Sequence, residues 1–184
     1  MILINKRKDN EPLVSIITVT LNSEKNLEET LKSIKNQKNK DYELIIIDGQ
    51  SIDSTIEIIK RNKNLINFCL TEKDNGIYDA FNKGLKYAKG KYIVFVNSDD
   101  ILTPEALELL SKYNEKYKDI DFLFGSVKKH WGVLHGYNPH KIKFTWGFYS
   151  SHSTGFYIKR ASAKKIGEYN TKYKFHADFD YFYR

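Results

Sequence analysis

Cysteine occurs once in the 184 residues, at Cys69, which excludes a disulfide framework and a Cys-rich zinc site. That residue sits in the apolar run Leu65-Ile66-Asn67-Phe68-Cys69-Leu70 and is expected to pack as a small hydrophobe. No apolar run approaches the ~20 residues that a membrane span needs. The start, Met1-Ile2-Leu3-Ile4-Asn5-Lys6-Arg7-Lys8, places its charges after its apolar stretch, the reverse of a secretory signal. A cytoplasmic protein is expected, with residues 1–11 as a disposable basic tail. There is no internal repeat, no low-complexity tract and no linker, so residues 12–184 read as a single domain.

Aromatic residues are plentiful: 13 Tyr and 11 Phe are too many for a chain that stays unfolded. A chain of this length buries roughly 70% of its unfolded surface. Lys and Arg outnumber Asp and Glu by 30 to 23, a net +7. That balance suits an anionic partner, and it equally suits the codon bias of an AT-rich genome, since Lys, Asn and Ile are all abundant.

Strand and helix patterns alternate through the first two thirds. Leu13 to Thr20 is a β-branched run, read as a strand. Leu27, Leu31 and Ile34 then recur at helical spacing, with Ser23 as a candidate N-cap. Tyr42 to Asp48 is a second strand, followed by a short helix near Ile56 and Ile59. A third strand runs near Leu65 to Thr71. Ile77, Phe81, Leu85 and Ala88 mark a helix closed by Gly90. Tyr92 to Val96 is a fourth strand, and Thr103-Pro104 opens another helix. Near-continuous apolar strands mean an α/β fold with a mostly parallel sheet flanked by helices on both faces. The last third predicts short strands at Phe122 to Phe124, Trp131 to Tyr137 and Gly155 to Ile158. A brief helix follows near Ala161 to Ile166, and another from His176. The chain stops at Arg184 in mid-helix, which leaves a missing natural C-terminus open.

Acidic residues collect where these strands end: Asp48 and Asp53 after the second, Asp74 after the third, Asp99 and Asp100 after the fourth. Ligands of open parallel sheets bind at those carboxyl ends. Crowded carboxylates repel one another unless a hard divalent cation relieves them. No Gly-x-Gly-x-x-Gly follows the first strand, no Gly-x-x-x-x-Gly-Lys-Ser/Thr is present, and no Gly-x-Ser-x-Gly elbow exists. These absences argue against a dinucleotide dehydrogenase, a P-loop enzyme and an α/β-hydrolase.

Five blocks occur in a telling order. They are Val14 to Asn22, Asp48-Gly49-Gln50-Ser51-Ile52-Asp53-Ser54-Thr55, Glu72 to Gly84, Asn97-Ser98-Asp99-Asp100, and His176-Ala177-Asp178-Phe179-Asp180-Tyr181. Together they resemble the family 2 glycosyltransferases of the GT-A fold, from about Pro12 to the end of the chain. The resemblance implies a nucleotide-binding part over about 12–100 and a smaller acceptor-side β/α part over about 101–184. It implies an inverting, metal-assisted transfer from a nucleotide-diphosphate sugar, a UDP-sugar first, in the synthesis of a cell-surface polysaccharide. The acceptor would be a saccharide or a lipid-linked one, with the protein peripheral at the inner face of the membrane. Nucleic acid is not an implied partner.

The same resemblance implies roles for single residues. Thr20 and Asn22 would line the nucleotide, and Asp48 would read the base. Asp53 would lie near the nucleotide or cap the helix at Ser54 and Thr55. Asp79 would contact the ribose or sugar, Lys83 the diphosphate, and Gly76 would let the backbone approach the ligand. Asn97-Ser98-Asp99 stands in the place of the Asp-x-Asp motif. Asn97 would then hydrogen-bond a ribose hydroxyl and Ser98 would also lie at the nucleotide, while Asp99 would hold Mn²⁺ or Mg²⁺ with Asp100 as its neighbour. Asp178 matches the general base of the family's Glu-Asp pair, and Ala177 replaces the Glu. The departures at Asn97 and Ala177 admit an alternative, a catalytically silent sugar-nucleotide-binding module.

Asp180 is expected to pair with Arg184 one turn on. His152 is a candidate for the donor phosphates or the acceptor site. His130, His135 and His140 lack ligand spacing. Trp131, Trp146, Phe148 and Tyr149 would pack in the core or stack on sugars. Lys128-Lys129 and Lys141 to Lys143 would form a basic edge or face lipid phosphates.

Overall fold

The computed structural model describes residues 1–6, 10–117, 120–129, 132–134 and 153–184. The expectations placed on His130, Trp131, His135, His140, Lys141 to Lys143, Trp146, Phe148, Tyr149 and His152 lie outside the described residues.

In chain order the elements are β1 (Ile2–Asn5), β2 (Val14–Thr20), α1 (Leu27–Lys35), β3 (Tyr42–Asp48), α2 (Thr55–Arg61), β4 (Phe68–Thr71), α3 (Ile77–Tyr87), β5 (Tyr92–Phe95) and α4 (Ala106–Lys116). There follow β6 (Phe122–Phe124), β7 (Val127–Lys129), β8 (Gly132–Leu134), β9 (Phe156–Lys159), α5 (Arg160–Ile166) and α6 (Ala177–Tyr183). Seven strands form one sheet in the order β1-β4-β3-β2-β5-β9-β6, and β7 and β8 form a separate two-stranded ribbon. The pairs β2–β3, β2–β5 and β3–β4 are parallel, while β1 and β9 run antiparallel to their neighbours.

The alternation of side chains splits the core in two. Val14, Ile16, Leu44 and Ile46 face Leu27, Leu31 and Ile34 of α1, Ile58 and Ile59 of α2, and Leu107 and Leu110 of α4. Ile17, Val19, Ile45 and Ile47 face Ala80 and Phe81 of α3, Ala163 of α5 and Tyr181 of α6. Every residue of β2 is buried, so a slip by one residue would exchange its two faces. The nine residues of α1 are too few for an isolated helix. Burial of its apolar stripe, about 1.5–3 kcal/mol per large side chain, holds it in place. Cys69 is fully buried in the first core, and that burial pushes its thiol up to about 12.

Four local expectations change. The N-terminal stretch is no loose tail: Ile2–Asn5 pairs with β4, because β4 offers an open edge and Leu3 and Ile4 offer apolar side chains. Asn26, not Ser23, occupies the N-cap of α1, and the Ser23 carbonyl accepts from the Asn26 and Leu27 N–H groups. Pro104 lies in the turn before α4 rather than at its first position.

Gly90 does not close α3 in a left-handed turn; Ala88 ends that helix in an extended conformation. Gly90 is needed instead for close approach to β2. Its N–H donates to Ser15 Oγ at 2.8 Å, and a Cβ there would meet the Val14 carbonyl carbon at 2.6 Å. Ser15 Oγ in turn donates to the buried Glu43 carboxylate at 2.6 Å, which also accepts from the Lys89 N–H at 2.7 Å. Gly90→Ala should therefore cost about 1–3 kcal/mol. Urea unfolding should show a lowered midpoint with an unchanged slope, and an unchanged midpoint would contradict the close-approach account.

Candidate functional site

The site forms where β2, β3 and β5 end. β2 pairs with β3 as far as Thr20 opposite Asp48, but with β5 only as far as Ile17 opposite Phe95. The edge of the sheet is thus stepped, and Asn97 to Asp100 turn at the step.

Two loops are laced together beside it. The Asn22 N–H donates to Ser51 Oγ at 2.8 Å, and Asn22 Oδ1 accepts from the Ile52 N–H at 2.9 Å. The Ser23 N–H donates to Thr55 Oγ1, and the Ser23 and Ser98 hydroxyls bond at 2.8 Å. Asp53 accepts from the Glu24 N–H at 3.1 Å and the Thr55 N–H at 3.0 Å, while Glu24 accepts from the Ser54 N–H. Asn22 and Gln50 hold left-handed backbone angles, φ 49° and 68°, in these loops. Such strain persists only where surrounding bonds over-determine it.

The lacing borders an open cavity of about 1060 Å³ lined by Thr20, Asn22, Asp53, Asn97, Ser98 and Asp99 among others. With Gly76, seven of the expected site residues are thus brought together. Glu24, Asp53, Asp74 and Asp99 line it against Lys25, so the wall carries excess negative charge. Two lining residues hold buried polar atoms with no partner, Thr20 Oγ1 and Asn97 Oδ1. Buried polar groups are nearly always satisfied, so both ask for a ligand or water. The donor set is all oxygen, as a hard divalent cation requires. Among the described residues no three His, Cys, Asp or Glu side chains converge as a cage for an ion. Asp99, exposed on this wall, could hold a cation that takes its other ligands from a phosphate group.

The remaining expected residues lie off this wall. Asp48 is fully buried, and its carboxylate accepts from the Gln50 and Ser51 N–H groups and from Ser51 Oγ at 2.5 Å. It builds the loop beneath the cavity, where no base can reach it. Asp79 accepts from the Asn75 N–H at 2.9 Å. Lys83 pairs with Glu72 at 3.0 Å and Asp79 at 3.5 Å and donates to the Lys73 carbonyl. Burial pulls the Lys83 pKa down, but these carboxylates outweigh it and leave it above the usual lysine value. Asp100 accepts from the Asn97 N–H at 3.1 Å and from the Thr154 hydroxyl, which fixes the turn that presents Asp99.

Asp178 is the second residue of α6, two positions after His176, which holds a left-handed conformation at φ 65°. Its Oδ1 accepts from the Phe179 N–H at 3.0 Å and from the Tyr78 hydroxyl at 3.2 Å. Burial first, then the charge of Asp178, raises the Tyr78 pKa and keeps it protonated. The Tyr78 ring is held by Phe81 and Tyr169, and Tyr169 stacks on Tyr181 of α6 at 4.0 Å. Tyr78 belongs to α3, whose neighbours Gly76, Ile77 and Ala80 line the cavity. The contact spans 100 residues of sequence, so local pattern holds no sign of it. Ala177 is fully buried in the core, so its position presents nothing to the cavity. Asp180 pairs with Arg184 at 3.2 Å, as its spacing predicts.

Residues 15–175 match the family described as Glycosyl transferase family 2. An uncharacterised glycosyltransferase of Methanocaldococcus jannaschii is 35% identical over 190 residues, 95% of this chain and 65% of its own. The poly(ribitol-phosphate) beta-N-acetylglucosaminyltransferase TarP of Staphylococcus aureus is 41% identical over 117 residues, 61% of this chain and 36% of its own. A PGL/p-HBAD biosynthesis glycosyltransferase of Mycobacterium bovis is 31% identical over 183 residues, 92% of this chain and 68% of its own. The chain thus spans between 36% and 68% of the length of these relatives. In fold it is similar to S. aureus TarS in complex with UDP, with TM-score 0.73 and 22% identity over 92% of this chain and 53% of that one. A mannosyltransferase of Pyrobaculum calidifontis, in complex with GDP-Man and Mn²⁺, gives a TM-score of 0.68 and 19% identity over 92% of this chain and 50% of that one.

The lacing has a pH signature. Desolvation raises the Asp53 pKa, but donors from Thr55 and Glu24 outweigh it and leave it below the usual value. A lowered folded pKa means stability that is present above the unfolded value, about 3.9, and lost as pH falls through the folded one. The stability difference between the wild type and Asp53→Asn should hold at pH 6–7 and shrink below about pH 4. A difference that stays constant down to pH 2 would contradict the assignment.

Proposed function

The chain belongs to glycosyl transferase family 2, and from that premise we propose that it moves a sugar from a nucleoside-diphosphate donor to a hydroxyl of a saccharide or lipid-linked acceptor. The observation that carries this reading is the cavity at the stepped sheet edge, with its carboxylate excess and its unpartnered Thr20 and Asn97 oxygens. The relatives named for poly(ribitol-phosphate) glycosylation and for PGL/p-HBAD biosynthesis support a role in polysaccharide or cell-surface glycan synthesis. The UDP in TarS and the GDP-Man with Mn²⁺ in the mannosyltransferase support the donor class. Among the described residues no helix is long and apolar enough to cross a membrane. We place the reaction on the cytoplasmic side of the membrane.

Thr20 and Asn97 accept from hydroxyl or N–H groups of the nucleotide. Asn22 and Ser98 hold the wall against which it rests. Mn²⁺ or Mg²⁺ at Asp99, when bound, would neutralise charge on the leaving diphosphate. Asp178 takes the proton of the acceptor hydroxyl as that oxygen bonds to C1 of the sugar. The bond from C1 to the diphosphate oxygen breaks in the same displacement, and the anomeric centre inverts. Charge on C1 is oxocarbenium-like at the transition state. Tyr78 is a positioning residue: its hydroxyl anchors Asp178 Oδ1 and ties the base to the helix that lines the cavity.

Release of nucleoside diphosphate from UDP- and GDP-sugars, with Mn²⁺ and an acceptor mixture, tests the reading. The wild type should turn over, and Asp178→Asn should lose about 10²–10⁴-fold in kcat while still binding donor. Tyr78→Phe should lose about tenfold in kcat. Added to Asp178→Asn it should lose little more, because groups that act as one unit are not additive. Donor binding with no release from the wild type would establish the silent module instead.

A further inference from the structure

Asp48 is closed off, so another group must meet the base of the donor. We propose that Asp74 reads it, selecting a base that presents a ring N–H, uracil or guanine, over cytosine. The inference rests on the donor-site reading above.

The geometry around Gly49 points to this residue. Gly49 follows Asp48 at the end of β3, and its N–H donates to the Thr20 carbonyl at 2.9 Å, so the backbone is pinned at the sheet edge. A Cβ on Gly49 would lie 2.5 Å from Asp74 Oδ2 and 3.4 Å from Leu21 Cδ1. The Asp74 carboxylate therefore fills the space that a side chain at position 49 would take. Asp74 and Leu21 both line the cavity, and Leu21 is 54% exposed there. An exposed apolar side chain and a carboxylate on one wall suit a flat heterocycle: in this proposal Leu21 would cover one face of the base and Asp74 would meet one edge.

The carboxylate is also oriented. Asp74 Oδ1 accepts from the Gly76 N–H at 3.0 Å, and Gly76, at φ 111°, begins α3. Oδ2 has no donor among the described residues. An ionised carboxylate only accepts hydrogen bonds. It suits the N3–H of uracil or the N1–H of guanine, and it opposes the N3 lone pair of cytosine.

Calorimetric titration of UDP, GDP and CDP, each with Mn²⁺, into the wild type and Asp74→Asn tests the assignment. The wild type should bind UDP or GDP roughly ten- to a hundredfold more tightly than CDP. In Asp74→Asn the amide oxygen can still accept from the Gly76 N–H, while its NH₂ can donate to cytosine. The preference should fall by about tenfold or more and move toward CDP. Gly49→Ala is the second variant, since its Cβ would push Oδ2 aside; it too should relax the preference. An unchanged preference in both variants would overturn the assignment alone. A wild type that binds none of the three would overturn the donor site together with it.

Discussion

The unequal pairing of β2 is the constraint on which the site depends. On one side β2 is matched to β3 through Thr20; on the other its match to β5 ends at Ile17. Three residues of β2 therefore run on past its partner, and the chain leaving β5 turns across the gap with Asn97, Ser98 and Asp99. The bond between Ser23 and Ser98, and that from the Asn97 N–H to Asp100, hold this turn against the loop after β2. The register cannot drift, since both faces of β2 are buried and a slip of one residue would send Ile17 and Val19 to the wrong core.

Charge at this edge is divided between acids that build and acids that are offered. Asp48, Asp53 and Asp100 are each tied up by loop N–H or hydroxyl donors. They hold three loops in shape. Asp99 is exposed on the cavity wall, and Asp74 lines the same cavity. Two like charges near 4 Å apart at a protein surface repel by about 4 kcal/mol. The proposed cation would offset that repulsion for a diphosphate at this wall. The aromatic stack through Tyr78, Tyr169 and Tyr181 joins the other half of the machinery, linking the cavity helix to the helix that carries Asp178.

Much of this was legible in the order of residues. The β-branched and apolar runs mark β2, β3 and β5, because strands buried on both faces must be apolar throughout. The acids after those strands mark the edge where the candidate cavity lies. What the order does not carry is which acid faces out. Asp48 and Asp74 both follow strands, yet three loop donors hold the first, while the second lines the cavity with its carboxylate in the room left by the missing side chain of Gly49. Ser23 has the chemistry of a helix cap, but its hydroxyl is drawn to Ser98, 75 residues away. The N-terminal strand escapes notice because four residues beside a basic run carry little pattern, and only the open edge of β4 gives them a place.

The central claim is that this anionic edge binds a nucleoside diphosphate through a divalent cation. Thermal unfolding of the chain with UDP or GDP, in Mn²⁺ and in EDTA, tests it most directly, with Mn²⁺ alone as the reference. A ligand at 100 times its Kd should add about 2.7 kcal/mol, a rise of several degrees in Tm. The account predicts that rise for one of the two nucleotides with Mn²⁺ and its loss in EDTA. An equal rise in EDTA would contradict the role of the cation, and no rise under any condition would contradict the site itself.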